Sequence, residues 1–208
     1  IGAMLIHMGE ADGMLCGTFG THALHRGYIE QVIGLRRGTK VCAAMNAVML
    51  PSRTVFIADT YVNVDPTAGE IAEITLLAAE EIRRFGIAPK VALLSHSSFG
   101  SSEHPQAKKM QAALALVSAL APDLEIEGEM HGDAALDEEV RMRAFPGSRL
   151  KGEANLLIMP TADAANIAFN LLKVAAGNNI ALGPVLLGAA KPVTILTPSA
   201  TVRRIVNM

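Results

Sequence analysis

The stretch GPVLLGAAKPVTILTPSATVRRIVNM (183–208) governs how the rest of this sequence is read. A Gly183-Pro184 turn leads into an apolar run, a second turn falls at Lys191-Pro192, and Val193 to Leu196 reads as a short strand. The break Thr197-Pro198-Ser199 then opens a helix near Ser199 or Thr201. On that helix Val202, Ile205 and Val206 fall at i, i+3 and i+4, which predicts a buried stripe with Arg203 and Arg204 on other faces. Strand, polar turn and helix start, in that order, put backbone N–H groups where an anionic group can sit.

The same order recurs at the front of the chain. Residues 13–17 (GMLCG) form a short apolar run between glycines, a buried strand. The turn Gly17-Thr18-Phe19-Gly20-Thr21 then feeds a helix expected over about residues 22–35, a second generic anion cradle with Arg26 in the following turn. His22 and His25 lie three apart on that helix, but no third ligand stands at suitable spacing. The pair is expected to be structural or surface-exposed, and no metal site is predicted. Arg36 and Arg37 read as solvated.

Working inward, residues 41–50 and 53–58 are apolar runs around Pro51-Ser52, a hairpin. Residues 59–66 are polar and irregular, the expected crossing between two lobes. Thr67 and Glu70 form a capping box, and Ile71, Ile74, Ala78, Ile82 and Phe85 keep helical period up to Gly86. Residues 90–95 make a buried strand. A serine-rich loop follows (96–102), with Pro105 at the first position of a helix reaching about residue 120. Such a loop at a strand's carboxyl end is either a ligand site or an ordinary capped loop; His96 and His104 read as hydrogen-bonded or solvent-facing. A strand over 124–128 precedes a helix over 133–143, whose mixed charges predict an exposed face. A further buried strand (154–159) ends in PTADAAN (160–166). The helix from 166 to 176 is expected to turn Ile167, Leu171 and Val174 inward. Asp163 reads as a cap, either alone or with a ligand contact.

Alternating strands and helices with one hairpin predict an α/β architecture: two αβα lobes with mostly parallel sheets and a cleft between them. The first lobe comprises residues 1–59 plus 184–208, the second 60–183. Half of the residues are apolar and 18% are charged, which suits a well-buried chain. A net charge of −2 and 4% aromatics argue against nucleic acid, and no apolar run approaches the ~20 residues of a membrane span. Cys16 and Cys42 read as packed, reduced thiols, and the expected location is the cytoplasm. Because the chain opens at Ile1 inside an apparent helix tail, we expect a piece of a longer polypeptide.

Four stretches together resemble the phosphate acetyl/butyryl transferase family: LLSHSSFGSSEHP (93–105), GEMHGDAA (128–135), ANLLIMPTADAANIAFNLLK (154–173) and GPVLLGAAKPV (183–193). THALHRGYIEQVIGL (21–35), MLPSRTVFIADTYVNVDPT (49–67) and TVRRIVNM (201–208) are similar, within it, to the C-terminal transferase-like domain of bacterial NADP-dependent malic enzymes. The resemblance implies a fold like that of the isocitrate and isopropylmalate dehydrogenases, paired as a dimer or higher homo-oligomer. Family members move an acetyl group between coenzyme A and phosphate: a carboxylate takes the thiol proton, a serine steadies the oxyanion and arginines hold phosphate. At the family's serine and arginine positions this chain has Thr197 and Pro198, and at its aspartate position Arg204. The arginine of the family's early helix aligns with Gly27, one position from Arg26, and the usual glycine near Asp163 is Ala165.

Thr197 keeps a hydroxyl, but Pro198 offers neither charge nor N–H, and a guanidinium with pKa above ~12 cannot act as a base. Losing a general base costs about 10²–10⁴ in rate. No residue is therefore assigned a catalytic role. The expected ligand-binding set is Thr18, Gly20, Thr21, Arg26, Ser97, Ser98, Gly100, Ser101, Asp163, Asn166, Thr197 and Arg204. The resemblance implies a regulatory domain that binds acetyl-CoA or a related acyl-CoA, with phosphate as a further ligand. The catalytic malic-enzyme domain of the same polypeptide would be its partner and would hold the NADP and divalent metal. An active acyltransferase with another base (Asp163 or His96), and a purely structural dimerisation module, are the alternatives.

Overall fold

The computed structural model describes residues 1–17, 19–176, 181–196, 198, 200–206 and 208, of which residue 204 is described only in its backbone. Among these residues eight strands form one mixed sheet in the order β1-β8-β7-β2-β3-β6-β4-β5. They are β1 (Met14–Gly17), β2 (Ala43–Met49), β3 (Thr54–Ala58), β4 (Lys90–Leu94), β5 (Glu125–Met130), β6 (Leu156–Ile158), β7 (Ala181–Leu187) and β8 (Val193–Leu196). The pairs β1–β8, β3–β6, β6–β4 and β4–β5 are parallel, while β8–β7, β7–β2 and β2–β3 are antiparallel. Parallel blocks thus flank an antiparallel centre, which includes the hairpin expected around Pro51-Ser52.

The strands read as continuous apolar runs because both faces are covered. On one face α3 (Ala68–Arg84) and α4 (Pro105–Leu120) pack over Ala43, Met45, Phe56, Leu93 and Ile126. On the other, α5 (Gly132–Leu136), α6 (Glu138–Ala144) and α7 (Ala162–Ala175) cover Val48, Ile57, Ala92 and Leu157. A third cluster, with Ile6, Ile29, Ile33, Val193 and Ile195, lies under α1 (Gly2–Met8) and α2 (His22–Val32). Close strand contact requires glycine at two points. A Cβ on Gly17 would lie 2.1 Å from the Leu196 carbonyl oxygen, and one on Gly183 2.7 Å from that of Met45.

α3 follows its sequence signals. Thr67 Oγ1 accepts from the Glu70 N–H while the Glu70 carboxylate takes the Thr67 N–H, and Ile71, Ile74, Ala78 and Ile82 are buried. Phe85, expected on the same inward stripe, is instead 45% exposed just past the helix end. Several other expectations are corrected. Gly183-Pro184 lies inside β7 rather than in a turn, its glycine fitted against β2. The helix expected over 133–143 breaks at Asp137, whose side chain caps α6. Arg141, expected on an exposed face, is fully buried because the carbonyls of Ala134, Leu150 and Gly152 accept from its guanidinium.

α7 starts four residues earlier than expected, capped by Thr161 rather than Asp163, and its phase is reversed. Ala165 and Phe169 face the sheet, while Ile167, Leu171 and Val174 are 59%, 67% and 68% exposed. The small Ala165 lets the helix lie close to the strands, so an equally periodic Ala/Phe stripe wins over the Ile/Leu/Val one. The α8 helix (Val202–Val206) is too short to bury its stripe, and Val202 and Val206 are each 78% exposed.

Candidate functional site

The strands β3, β6, β4 and β5 run in one direction, so the loops after them gather at one edge of the sheet, where open α/β sheets bind ligands. Two of these loops are each built around a buried carboxylate. After β3, Asp59 accepts from the N–H groups of Ala44 (2.9 Å), Tyr61 (3.1 Å), Val62 (3.1 Å) and Asn63 (2.8 Å), and from the Asn63 amide (2.6 Å). Thr60 alongside donates its hydroxyl to Asn46 Oδ1 at 2.7 Å. A loop that would otherwise strand several donors is thereby held in one shape.

Two helix starts meet on this loop. From α2, Arg26 donates to the Val62 carbonyl at 3.4 Å and pairs with Glu30 at 3.5 Å, while the His22 ring stacks on Tyr61 at 5.4 Å. From α7, Asn166 donates to the Thr60 carbonyl at 3.3 Å. Arg26 and Asn166, expected in one binding set, therefore do converge. Thr21 and Gly20 stand in the turn before α2; Thr21 Oγ1 caps that helix by accepting from Leu24 N–H at 3.2 Å. Asp163 lies exposed in the first turn of α7. Burial, then the neighbouring Arg26 charge, hold the His22 imidazole below its ordinary pKa, with Asp59 opposing them.

The serine loop after β4 is organised differently. Ser97 is fully buried and donates its hydroxyl to Glu129 Oε1 at 2.6 Å, and the Gly100 N–H reaches the same oxygen at 2.9 Å. Ser101 Oγ stands 3.1 Å from Ser97 Oγ and accepts from Ser98 N–H, while Ser98 Oγ accepts from His131 N–H. Phe99 adopts φ of +50° and stacks on Phe145 at 4.6 Å. Burial pushes the Glu129 carboxyl up, but the hydrogen bonds from the Ser97 hydroxyl and the Gly100 N–H, helped by its own backbone N–H, outweigh it and hold the group below the usual carboxylate range. Glu129 was not legible as the partner of this loop, because it stands 32 residues away from Ser97. His104 Nδ1 accepts from Gln106 N–H as a helix cap, and His96 Nε2 lies 3.3 Å from Ser102 Oγ.

Lys109 ties the two halves of the edge together, donating to Asp65 (2.6 Å) and to the Pro160 carbonyl (2.8 Å) just before Thr161. Thr18 and Thr197 lie outside the described residues, as does the Arg204 side chain; Pro198 is exposed directly after β8. A cavity of about 440 Å³ opens between α2 and the start of α3, lined by Arg26, Glu30, Lys40, Cys42, Asn63 and Glu70. Cys42 beside it is a buried thiol pushed up to about 12, first by burial and then by Glu30. A larger one, about 910 Å³, lies over β7 and β8 against the end of α3, and among the described residues its lining includes none of the expected binding set. Its rim carries an ion-pair network that sequence reading missed: Arg36 grips Glu80 through two hydrogen bonds of 2.7 and 2.8 Å, and Arg84 adds a third at 2.8 Å. Among the described residues no cluster of three His, Cys, Asp or Glu side chains is placed to hold a metal ion. Nor is any helix among them long and apolar enough to cross a membrane.

Comparison with known proteins gives the site its context. The profile of the Phosphate acetyl/butaryl transferase family matches residues 1–208. An NADP-dependent malic enzyme of Escherichia coli is 57% identical over 208 residues; the match covers all of this chain and 27% of that enzyme. A phosphate acetyltransferase of Paracoccus denitrificans is 39% identical over 99% of this chain and 66% of its own length. Among solved structures, a phosphotransacetylase from Streptococcus pyogenes superposes with a TM-score of 0.93 at 34% identity, over 99% of this chain and 63% of that one. The chain thus spans about a quarter of the malic enzyme it resembles and about two thirds of these two transacetylases.

Proposed function

This chain belongs to the phosphate acetyl/butyryl transferase family, and from that membership we propose that it is the phosphotransacetylase-like domain of a malic enzyme, one that binds an acyl-CoA without converting it. The catalytic part of such a polypeptide would oxidatively decarboxylate malate with NADP and a divalent metal. This domain would shift that activity through differential affinity for acetyl-CoA in two states, which needs a pocket but no turnover. The observation that carries the reading is the substitution of Pro198 and Arg204 for the family's arginine and aspartate, beside otherwise retained segments. A proline cannot hold phosphate and a guanidinium cannot take the thiol proton, but Arg204 and Arg26 suit the phosphates of a coenzyme A.

In this reading the ligand lies between two lobes, residues 1–59 with 184–208 and residues 60–183, arranged as in isocitrate dehydrogenase. It touches the starts of α2 and α7. The test is calorimetric titration of the chain with acetyl-CoA, run beside an assay for acetyl phosphate formed from acetyl-CoA and phosphate. Binding below millimolar concentration with no turnover supports the proposal. Turnover above ~1 s⁻¹, the low end of ordinary enzymes, would replace it with an active acyltransferase.

One observation favours a second reading, that of a packing module without a ligand. The serine loop spends its hydroxyls and N–H groups on Glu129 and His131 rather than presenting them outward. Absence of heat at millimolar acetyl-CoA in a folded sample would select that reading.

A further inference from the structure

Among the described residues Phe99, in the serine loop, is the one non-glycine residue with a positive φ, +50°. A phenylalanine in the left-handed region is strained, and such strain persists only where surrounding contacts impose it. Two contacts impose it here. The Phe99 N–H donates to the Glu129 carbonyl at 2.7 Å, and the ring stacks on Phe145 at 4.6 Å with the planes 21° apart. Gly100 follows at φ +85°, where an added Cβ would meet no atom within 4 Å. That glycine is needed for its conformation and not for close packing, so the loop tip has a hinge beside its strained residue.

The two sides of this clasp are held with unequal firmness. At the base of the loop Ser97 is fully buried with its hydroxyl on Glu129 Oε1, an anchor that does not depend on the tip. On the outer side Phe145 is 36% exposed and stands in a run, 142–147, whose every residue is exposed. The aromatic contact can therefore part without opening the core. A tip that swings away takes the Gly100 N–H from Glu129 Oε1 (2.9 Å) and the Phe99 N–H from the Glu129 carbonyl. Both donors are then free for water or for an oxygen-rich group, such as the phosphates of an acyl-CoA.

We infer that the serine loop is a strap with two states, closed here by the Phe99–Phe145 clasp and opened when an anionic ligand takes over its two N–H groups. The closed state is a self-inhibited form. Backbone strain at Phe99 favours release and the ring stack opposes it, which brings the two states closer in energy than the hydrogen bonds alone would set them. The identity of the ligand rests on the acyl-CoA reading, whereas the clasp does not.

Hydrogen exchange of the Phe99 and Gly100 amides in the 208-residue chain tests the clasp without a ligand. Phe145→Ala, at an exposed position, should speed the exchange of both amides about tenfold while leaving the β4 amides and the melting curve unchanged. At residue 99 the order of two variants separates strain from packing. Phe99→Ala loses the ring but keeps a strained backbone, whereas Phe99→Gly loses both, so the Gly100 amide should exchange several-fold faster in the alanine variant. Amides unmoved by Phe145→Ala, or a glycine variant that exchanges as fast as the alanine one, would overturn the inference. Calorimetric titration with acetyl-CoA is the second arm. Phe145→Ala should bind several-fold more tightly than the wild type, since the closed state no longer competes. Equal or weaker binding would make the closed loop the binding form and overturn the self-inhibition. If neither protein binds while the exchange order holds, the acyl-CoA reading falls and the strap stands.

Discussion

Asp59 and Glu129 stand at the same edge of the sheet, both buried carboxyl groups, and each holds together the loop it serves, yet they do so with different partners. Asp59 collects four backbone N–H groups and one side-chain amide. Glu129 Oε1 collects one N–H and the hydroxyl of Ser97. The first loop is therefore held mainly through main-chain N–H groups gathered on one side chain, with the Asn63 amide as a side-chain donor, and it serves as the platform on which His22, Arg26 and Asn166 converge. The second is held partly by a side chain, so its shape depends on the identity of residue 97. A carboxylate near a cleft invites a catalytic reading. Here both carboxylates have hydrogen bonds that account for their burial without one.

The largest effect is expected at Asp59. Asp59→Ala strands five donors in a buried site and should cost about 3–5 kcal/mol, measured by urea unfolding, as does removal of one partner from a buried charged network. Glu129→Ala leaves fewer donors unpaired and should cost about 1–3 kcal/mol, with Glu129→Gln costing less because an acceptor remains. A Glu129→Ala variant less stable than Asp59→Ala would reverse the ranking of the two loops. Ser97→Ala should cost about 1.5 kcal/mol, the low end of the net worth of a single hydrogen bond to a charged group.

Acid sharpens the same comparison. The folded Glu129 carboxyl sits below its ordinary value, so its contribution is complete above an unfolded pKa of about 4.3 and is lost as pH falls from there through the lower folded value. Urea midpoints taken between pH 6 and pH 3 should fall for the wild type and fall less for Glu129→Gln. Equal slopes would mean that other carboxylates carry the acid sensitivity.

How much of this was readable in the sequence depends on the range of the interaction. The capping box of Thr67 and Glu70 and the proline that opens α4 are local devices, and each lies where spacing put it. Asp59 was read only as part of a polar crossing. An Asp at a strand's end that turns back on its own following N–H groups is a recognisable turn device, so a signal was present. Ser97 was correctly placed in a serine loop, but its partner lies across the β4–β5 pair, beyond any local pattern. α7 shows the other limit. Periodicity predicts that a stripe exists, but two stripes share the helix, and only the closeness permitted by Ala165 and the fit of Phe169 decide which faces the sheet. Thr18, Thr197 and the Arg204 side chain, on which the chemistry of the anion cradles turns, lie outside the described residues.

The smallest expected effect probes the Asp59 platform from above. His22 stacks on Tyr61 with its Nε2 buried and without a hydrogen-bond partner. Burial first, then Arg26, hold its pKa down against Asp59. For a base whose folded pKa is lowered, the unfolded chain binds the proton more readily. Stability is therefore complete above an ordinary pKa of about 6.5 and declines as pH falls through it. Because the side chain is only partly buried, a few tenths of a kcal/mol between pH 8 and pH 5.5 is the expected size after allowing for solvent screening. His22→Gln should flatten that part of the pH–stability curve while leaving the acid limb set by Glu129 in place. If the slope persists undiminished, the neutral-range titration belongs to another histidine, and the contact between α2 and Tyr61 is looser than the stacking geometry requires. If instead both limbs flatten, the two loops are coupled through Lys109 and Asp65, and the contrast between an Asp59 platform and a separate Glu129 loop fails.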